Sequence, residues 1–274
     1  MKFKSIFILL NLTLLLFLGI LIVSPLLIMD SAFVGVFWQN NWPFILILVL
    51  ILLGFNTFYA RNRQLFLLLE KEDWPALVRY LEDLVIQRGR YSQRLVRLLA
   101  NTYLVLADSA AVMSLENKTA IAKPALIDAN VLLFGTARIL GKDISGAVRF
   151  FALRKEKVKG PDREWARWYH GFSLLLDHQF EKAAGEFSLL ARVSQDAIIA
   201  GLSSHFLNGT IAKALPEKER ELRELSSQGR ERVLKGLSDA KNWEQETARI
   251  SSEIHAAVLS KYMEETAHWL YYNE

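Results

Sequence analysis

The stretch from Gly135 to Asp143, GlyThrAlaArgIleLeuGlyLysAsp, comes nearest to a chemical motif in this chain. A phosphate-cradling loop needs four residues between its glycines, a Ser or Thr after its lysine and a strand before it. Here five residues separate Gly135 from Gly141, Asp143 stands in the Ser/Thr position, and no strand pattern precedes. The phosphate reading fails. Gly135 is expected to be a helix-packing glycine and Gly141 the turn after its helix. The histidines are His170, His178, His205, His255 and His268, with no HExxH among them. Glu265 and His268 have the spacing of a di-iron carboxylate helix, but that chemistry needs a second such pair and two more facing carboxylates. No second ExxH is present. The chain has no cysteine, which removes disulfides, thiolate metal sites and Cys nucleophiles. No nucleophile elbow or Gly-rich dinucleotide loop occurs. Glu264 and Glu265 are adjacent and point to different helix faces. The residues therefore give no catalytic, cofactor or metal site, and the chain reads as a non-enzyme.

Two basic runs remain. Arg88, Arg90, Arg94 and Arg97 lie together without an acid between them. Residues 149–167 hold seven cations (Arg149, Arg154, Lys155, Lys157, Lys159, Arg163, Arg167) against Glu156, Asp162 and Glu164. Each run is either a solvated face or a contact for anionic headgroups, where each cation contributes ~1 kcal/mol. Nucleic acid is disfavoured, because 33 Lys+Arg against 29 Asp+Glu leave a net charge of only +4.

The elements that carry these residues divide sharply. Residues 1–60 contain three charges, Lys2, Lys4 and Asp30, within a chain of 274 residues that is 52% apolar. Ser5–Met29 is an uncharged run, and Trp42–Ala60 is a second. Crossing a hydrocarbon core takes roughly 20 helical residues, so spans are expected at 5–29 and 42–60. Trp38, Trp42, Phe58 and Tyr59 fall where interfacial rings prefer to lie. Lys2 and Lys4 precede the first span, Arg61 and Arg63 follow the second, and the loop Asp30–Asn41 has neither Lys nor Arg. Both ends of the hairpin are therefore expected in the cytoplasm. A signal peptide cleaved near Asp30-Ser31-Ala32 is the competing reading, disfavoured because the apolar run exceeds the roughly 7–15 residues of a signal core. High apolar content excludes a disordered chain, and one apolar region excludes a polytopic transporter. Asn11 and Asn56 fall at similar depth in an antiparallel hairpin. They are expected either to hydrogen-bond across it or to be satisfied within their own helices.

Beyond Arg61 the periodicity is helical. Gly89, Pro124, Gly141, Gly160-Pro161, Asn208-Gly209 and Pro216 separate helices near 64–87, 92–107, 109–117, 124–140, 143–158, 162–176, 179–193, 196–214, 217–238 and 241–272. At an offset of 36, Gly135 recurs as Gly171, Ile144 as Phe180, Ala147 as Ala183, and Phe151 as Phe187. Small residues let paired helices approach and large ones fill the space beside them, so these seven residues other than Ile144 are assigned to repeat packing.

The copy at 164–197, with Gly171, Leu174, Phe180, Ala183 and Phe187, resembles the tetratricopeptide repeat; Trp168 is one position displaced, and Gln195 replaces the terminal Pro. The copy at 128–161 matches at Gly135, Ala147 and Phe151. A third at 92–125 fits only at Leu98, Ala111 and Leu115, and residues 73–81 look like another second helix. Arg138 and His170 are polar where the repeat is normally apolar, and they join the four arginines as residues for partner or headgroup contact. The resemblance covers about 64–200. It implies an all-α chain in which a transmembrane helical hairpin (1–62) precedes a right-handed α-α superhelix (63–274). The arrangement is also similar to bacterial envelope proteins with two spans and helical repeats, such as the HemY-type proteins and the tethered repeat proteins of the spirochaete flagellar collar. The expected function is a membrane-anchored adaptor at the bacterial inner membrane. The alternatives are a structural subunit of a flagellar or secretion-type machine, and a membrane-bound enzyme or regulator of lipid or cell-wall metabolism. Expected partners are proteins, inner-membrane lipids and a second copy of the chain, without nucleic acid or cofactor. Leu222, Leu225, Val233 and Leu237 stripe the helix at 217–238, and Ile250, Ile254, Val258, Tyr262 and Trp269 the last one. Each stripe seals the stack or binds a partner.

Overall fold

Asp30 is the only described residue that separates the first two helices of the computed structural model. The structure describes residues 3–28, 30–251, 256 and 258–272. Helix α1 is Phe3–Ile28 and α2 is Ser31–Glu70. The expected loop Asp30–Asn41 is thus almost wholly helical. The reason lies in its residues: after the extended Asp30 (ψ 150°), nothing in 31–41 forbids a helix, and Pro43 is accommodated inside it. At 1.5 Å per residue, the 40 residues of α2 make a rod about 60 Å long, roughly twice a hydrocarbon core. Arg61 and Arg63 ride on that rod rather than after it. Both helices are long and apolar enough to cross a membrane. Lys2 and Met29 lie outside the described residues.

The chain forms two compact units, Met1–Tyr80 and Leu81–Glu274. In the first, α1 and α2 pack on each other. Asn56 Nδ2 donates to Asn11 Oδ1 at 2.7 Å and to the Leu52 carbonyl at 2.8 Å. Asn11 Nδ2 donates to the Phe7 carbonyl at 2.9 Å. The cross-helix bond and the own-helix bonds therefore coexist. The ring of Phe7 stacks on Tyr59 at 3.8 Å beside them.

In the second unit the helices are α4 (Gln93–Val105), α5 (Ser109–Ala122), α6 (Ala125–Asp128), α7 (Val131–Leu140), α8 (Ile144–Arg154), α9 (Asp162–Leu176), α10 (Phe180–Val193) and α11 (Ala197–Phe206). Then come α12 (Ala212–Ala214), α13 (Glu219–Gly236), α14 (Ala240–Ser251) and α15 (Ser260–Tyr271). The preceding α3 is Trp74–Glu82. The chain is all-α, with no strand among the described residues. The expected helix 124–140 is divided into α6 and α7, and a turn at Val258-Leu259 precedes α15.

One turn recurs. Among the described residues, Glu72, Ala107, Lys142 and His178 are the non-glycine residues with positive φ, at 53°, 57°, 62° and 58°. Each donates its N–H three residues back, to Leu69, Leu104, Ile139 and Leu175. The next residue donates five back, to Leu68, Tyr103, Arg138 and Leu174. That next residue is Asp73, Asp108, Asp143 and Gln179, and each Asp caps the following helix through Oδ1. Such a turn satisfies the orphan carbonyls of one helix and the orphan amides of the next. It stands at intervals of 35, 35 and 36 residues. Gly141 lies in the turn after its helix, as expected, with a φ of −77°, and the left-handed residue of that turn is Lys142. A Cβ on Gly141 would sit 3.3 Å from Ser109 Cβ, so its role is close helix approach.

Around these turns the core is aromatic. Trp168 stacks on Phe172 at 5.2 Å and meets Phe187 at 5.9 Å, while Phe187 stacks on Phe206 at 5.5 Å. Full burial of each such ring contributes about 1.5–3 kcal/mol. The stripe of α13 turns inward, with Leu222, Leu225 and Val233 buried. Tyr262 of α15 packs on Phe172 and Phe206. Ile254 and His255 lie outside the described residues.

Candidate functional site

A groove of about 470 Å³ runs over α9 between α8 and α10. Each helix contributes one face by its 3.6-residue period. Val148 and Ala152 come from α8; Arg167, His170 and Leu174 from α9; and Lys182, Glu186 and Leu189 from α10. Glu186 is the node of its floor. Its Oε1 accepts from Lys155 Nζ and lies 3.2 Å from His170 Nδ1. Lys155 Nζ is 3.1 Å from the same Nδ1, so a proton on Nδ1 donates to Glu186, and a bare Nδ1 accepts from Lys155. Arg167 Nη1 stands 3.8 Å from Glu186 Oε2. Arg167 also pairs with Glu156, which takes Arg163 at 3.2 Å. Burial pushes the Glu186 carboxyl up, but hydrogen bonds and charge from His170 and Lys155 outweigh it and hold it at about 2. The lining holds no hydroxyl or thiol. Apolar walls thus stand over a polar floor that is hydrogen-bonded within itself.

A second node lies in the preceding helix pair. Arg138 pairs with Glu116 at 2.8 Å, their side chains 17% and 8% exposed. Its guanidinium lies 5.0 Å from the Phe150 ring centre, and that of Arg154 4.3 Å from it. Burial raises the Glu116 carboxyl, with Arg138 and Arg154 opposing. The polar residue Arg138, at a normally apolar position, is thus matched by a buried acid from α5.

The repeat-packing residues meet within each helix pair. A Cβ on Gly135 would overlap the Phe151 ring, and one on Gly171 would lie 3.1 Å from Phe187 Cε1. Ala147 and Ala183 are buried, and Phe180 is half-buried beside His178. Of the four arginines, Arg88 pairs with Asp83 at 2.6 Å and Arg97 reaches the Ala129 carbonyl at 3.4 Å. Arg90 and Arg94 are exposed. These arginines take no part in the α8–α10 groove. Sequence reasoning found His170, read Lys155 and Arg167 only as members of a basic run, and missed Glu186. A signal existed: Glu186 follows His170 by sixteen residues, as Phe187 follows Gly171 and Phe151 follows Gly135.

These features define an all-α chain in which two long apolar helices precede helix pairs joined by one recurring turn. It belongs to the family described as "Uncharacterised Treponema protein", whose match spans residues 111–272, more than half of the chain. A relative from Treponema pallidum (strain Nichols), described as an uncharacterized protein, is 28% identical over 253 residues, covering 86% of this chain and 78% of its own. Because 86% of 274 residues exceeds the 194 residues of Leu81–Glu274, that similarity runs into the apolar unit. No solved structure matches the chain.

Proposed function

We propose that this protein is a membrane-anchored adaptor of the bacterial inner membrane. Its apolar hairpin holds a tetratricopeptide-like stack at the cytoplasmic face, and the stack binds another protein. The observation that carries this reading is the turn repeated at Ala107, Lys142 and His178, with the same backbone bonds each time. Helix pairs joined at intervals of 35 and 36 residues leave faces that neighbouring pairs cover, and the concave grooves of such stacks serve recognition. The α8–α10 groove is the binding site in this reading, with Val148, Ala152 and Leu189 as walls and the His170–Glu186 node for register. Tethering raises the effective concentration of whatever the groove holds near the membrane. A photoreactive residue at Leu189, and a control at exposed Lys235, tests it in living cells. The reading expects a discrete protein adduct from position 189, weakened by His170→Ala. Equal crosslinking at both positions, or none at 189, contradicts it.

A further inference from the structure

Ile121 is 87% exposed, more than any other large apolar side chain among the described residues, those of the apolar hairpin included. It lies in the segment 120–125, AlaIleAlaLysProAla, in which every residue is exposed. Lys123 Nζ donates to the Tyr91 carbonyl at 2.9 Å, which ties the end of α5 to the turn that carries Arg88 and Arg90. Gln93 and Arg97 both donate to the Ala129 carbonyl, which fixes the start of α4 to the residue that follows α6. The exposed apolar segment is thereby tied to the turn and helix start that carry the exposed Arg90 and Arg94, with Lys118 and Lys123 on its own stretch of chain. Glu116 and Asp128 are occupied by Arg138 and Arg154, and Asp83 is paired with Arg88. The cations accompany an exposed ridge rather than a pocket, an arrangement that suits a laterally mobile anionic surface more than the fixed knobs of a protein partner.

We infer that this ridge docks on the anionic headgroup layer of a membrane, with Ile121 entering the acyl boundary and the cations against lipid phosphates. The inference rests on the anchored reading, so its test must separate the two. The chain has no native cysteine, so single labels are clean. The full chain is placed in nanodiscs of phosphatidylcholine alone, or mixed with phosphatidylglycerol. Each disc type contains acyl-brominated lipid. An environment-sensitive dye sits at Ala122→Cys, and in a second preparation at Leu16→Cys within α1. The expected result is quenching at position 16 in both discs. At position 122, quenching and a blue shift are expected only in the anionic discs. That signal is lost in high salt, in Ile121→Glu and in Arg90→Glu/Arg94→Glu/Lys118→Glu, all exposed changes checked for retained helicity. Equal emission at 122 in both discs, with 16 quenched, overturns the docking and leaves the anchor. Absence of quenching at 16 overturns the anchor and the docking with it.

Discussion

Gly135 and Gly171 occupy equivalent places with unequal clearance. A Cβ on Gly135 would overlap the Phe151 ring, whereas on Gly171 the nearest atoms lie at 3.1–3.3 Å. Alanine gains about 1 kcal/mol of helix propensity over glycine, and overpacking costs ~1–3 kcal/mol. The overlap at Gly135 puts its cost at the upper end of that range, so Gly135→Ala is expected to destabilise the fold by about 2 kcal/mol net, with Gly171→Ala near neutral. Equal urea midpoints for the two variants would refute this packing argument. Glu186 supplies a pH signature. Its carboxyl is held at about 2 against an ordinary 4.5. A depressed folded pKa stabilises above the unfolded value and is lost as pH falls through the window from about 4.5 to 2, on the order of 3 kcal/mol in all. Glu116 works the other way, since its raised carboxyl favours the folded state on acidification. Comparing the native chain with Glu186→Gln cancels that contribution. The stability gap is expected at neutral pH and should close toward pH 2 in a urea series; a gap independent of pH would contradict the Glu186 assignment.

Elements are where the sequence was partly legible. The offset of 36 recovered the two aromatic-rich helix pairs because Gly–Phe packing needs fixed residue types. It caught the earlier copies only weakly, at 92–125 and 73–81, because they are spaced by 35 and carry their signature in the turn. Asp73, Asp108 and Asp143 mark it, but a left-handed Glu, Ala or Lys before them has no compositional trace. The loop at 30–41 was misread because polar residues between two apolar runs suggest a break, while backbone bonding continues wherever no residue forbids it. The turn makes a direct prediction. A left-handed non-glycine residue is strained by ~1–2 kcal/mol, so Ala107→Gly should stabilise by about 0.5–1 kcal/mol after its entropic cost. A lowered thermal midpoint would show that the Ala107 side chain contributes contacts of its own. In the hairpin, Asn56→Leu removes the bond to Asn11 but leaves Asn11 bonded to Phe7. The expected loss of helix–helix association is about 0.6–1 kcal/mol, measurable by steric trapping in bicelles. An unchanged association would show that Phe7 on Tyr59 alone holds the pair.

For the whole molecule, composition alone separated an apolar hairpin from a helical domain. The groove needed the fold, because its floor is built from residues on three helices that are ordinary surface types when read singly. We propose that the hairpin crosses a membrane and leaves the helical domain on the cytoplasmic side. Gln39 and Leu189 are both exposed, one near the start of α2 and one in the groove. Single cysteines at these positions, probed with a membrane-impermeant maleimide in intact and permeabilised cells, report the side of each. The account predicts labelling of Gln39→Cys in intact cells and of Leu189→Cys only after permeabilisation. Labelling of Leu189→Cys in intact cells would contradict it and place the groove on the outer face of the membrane.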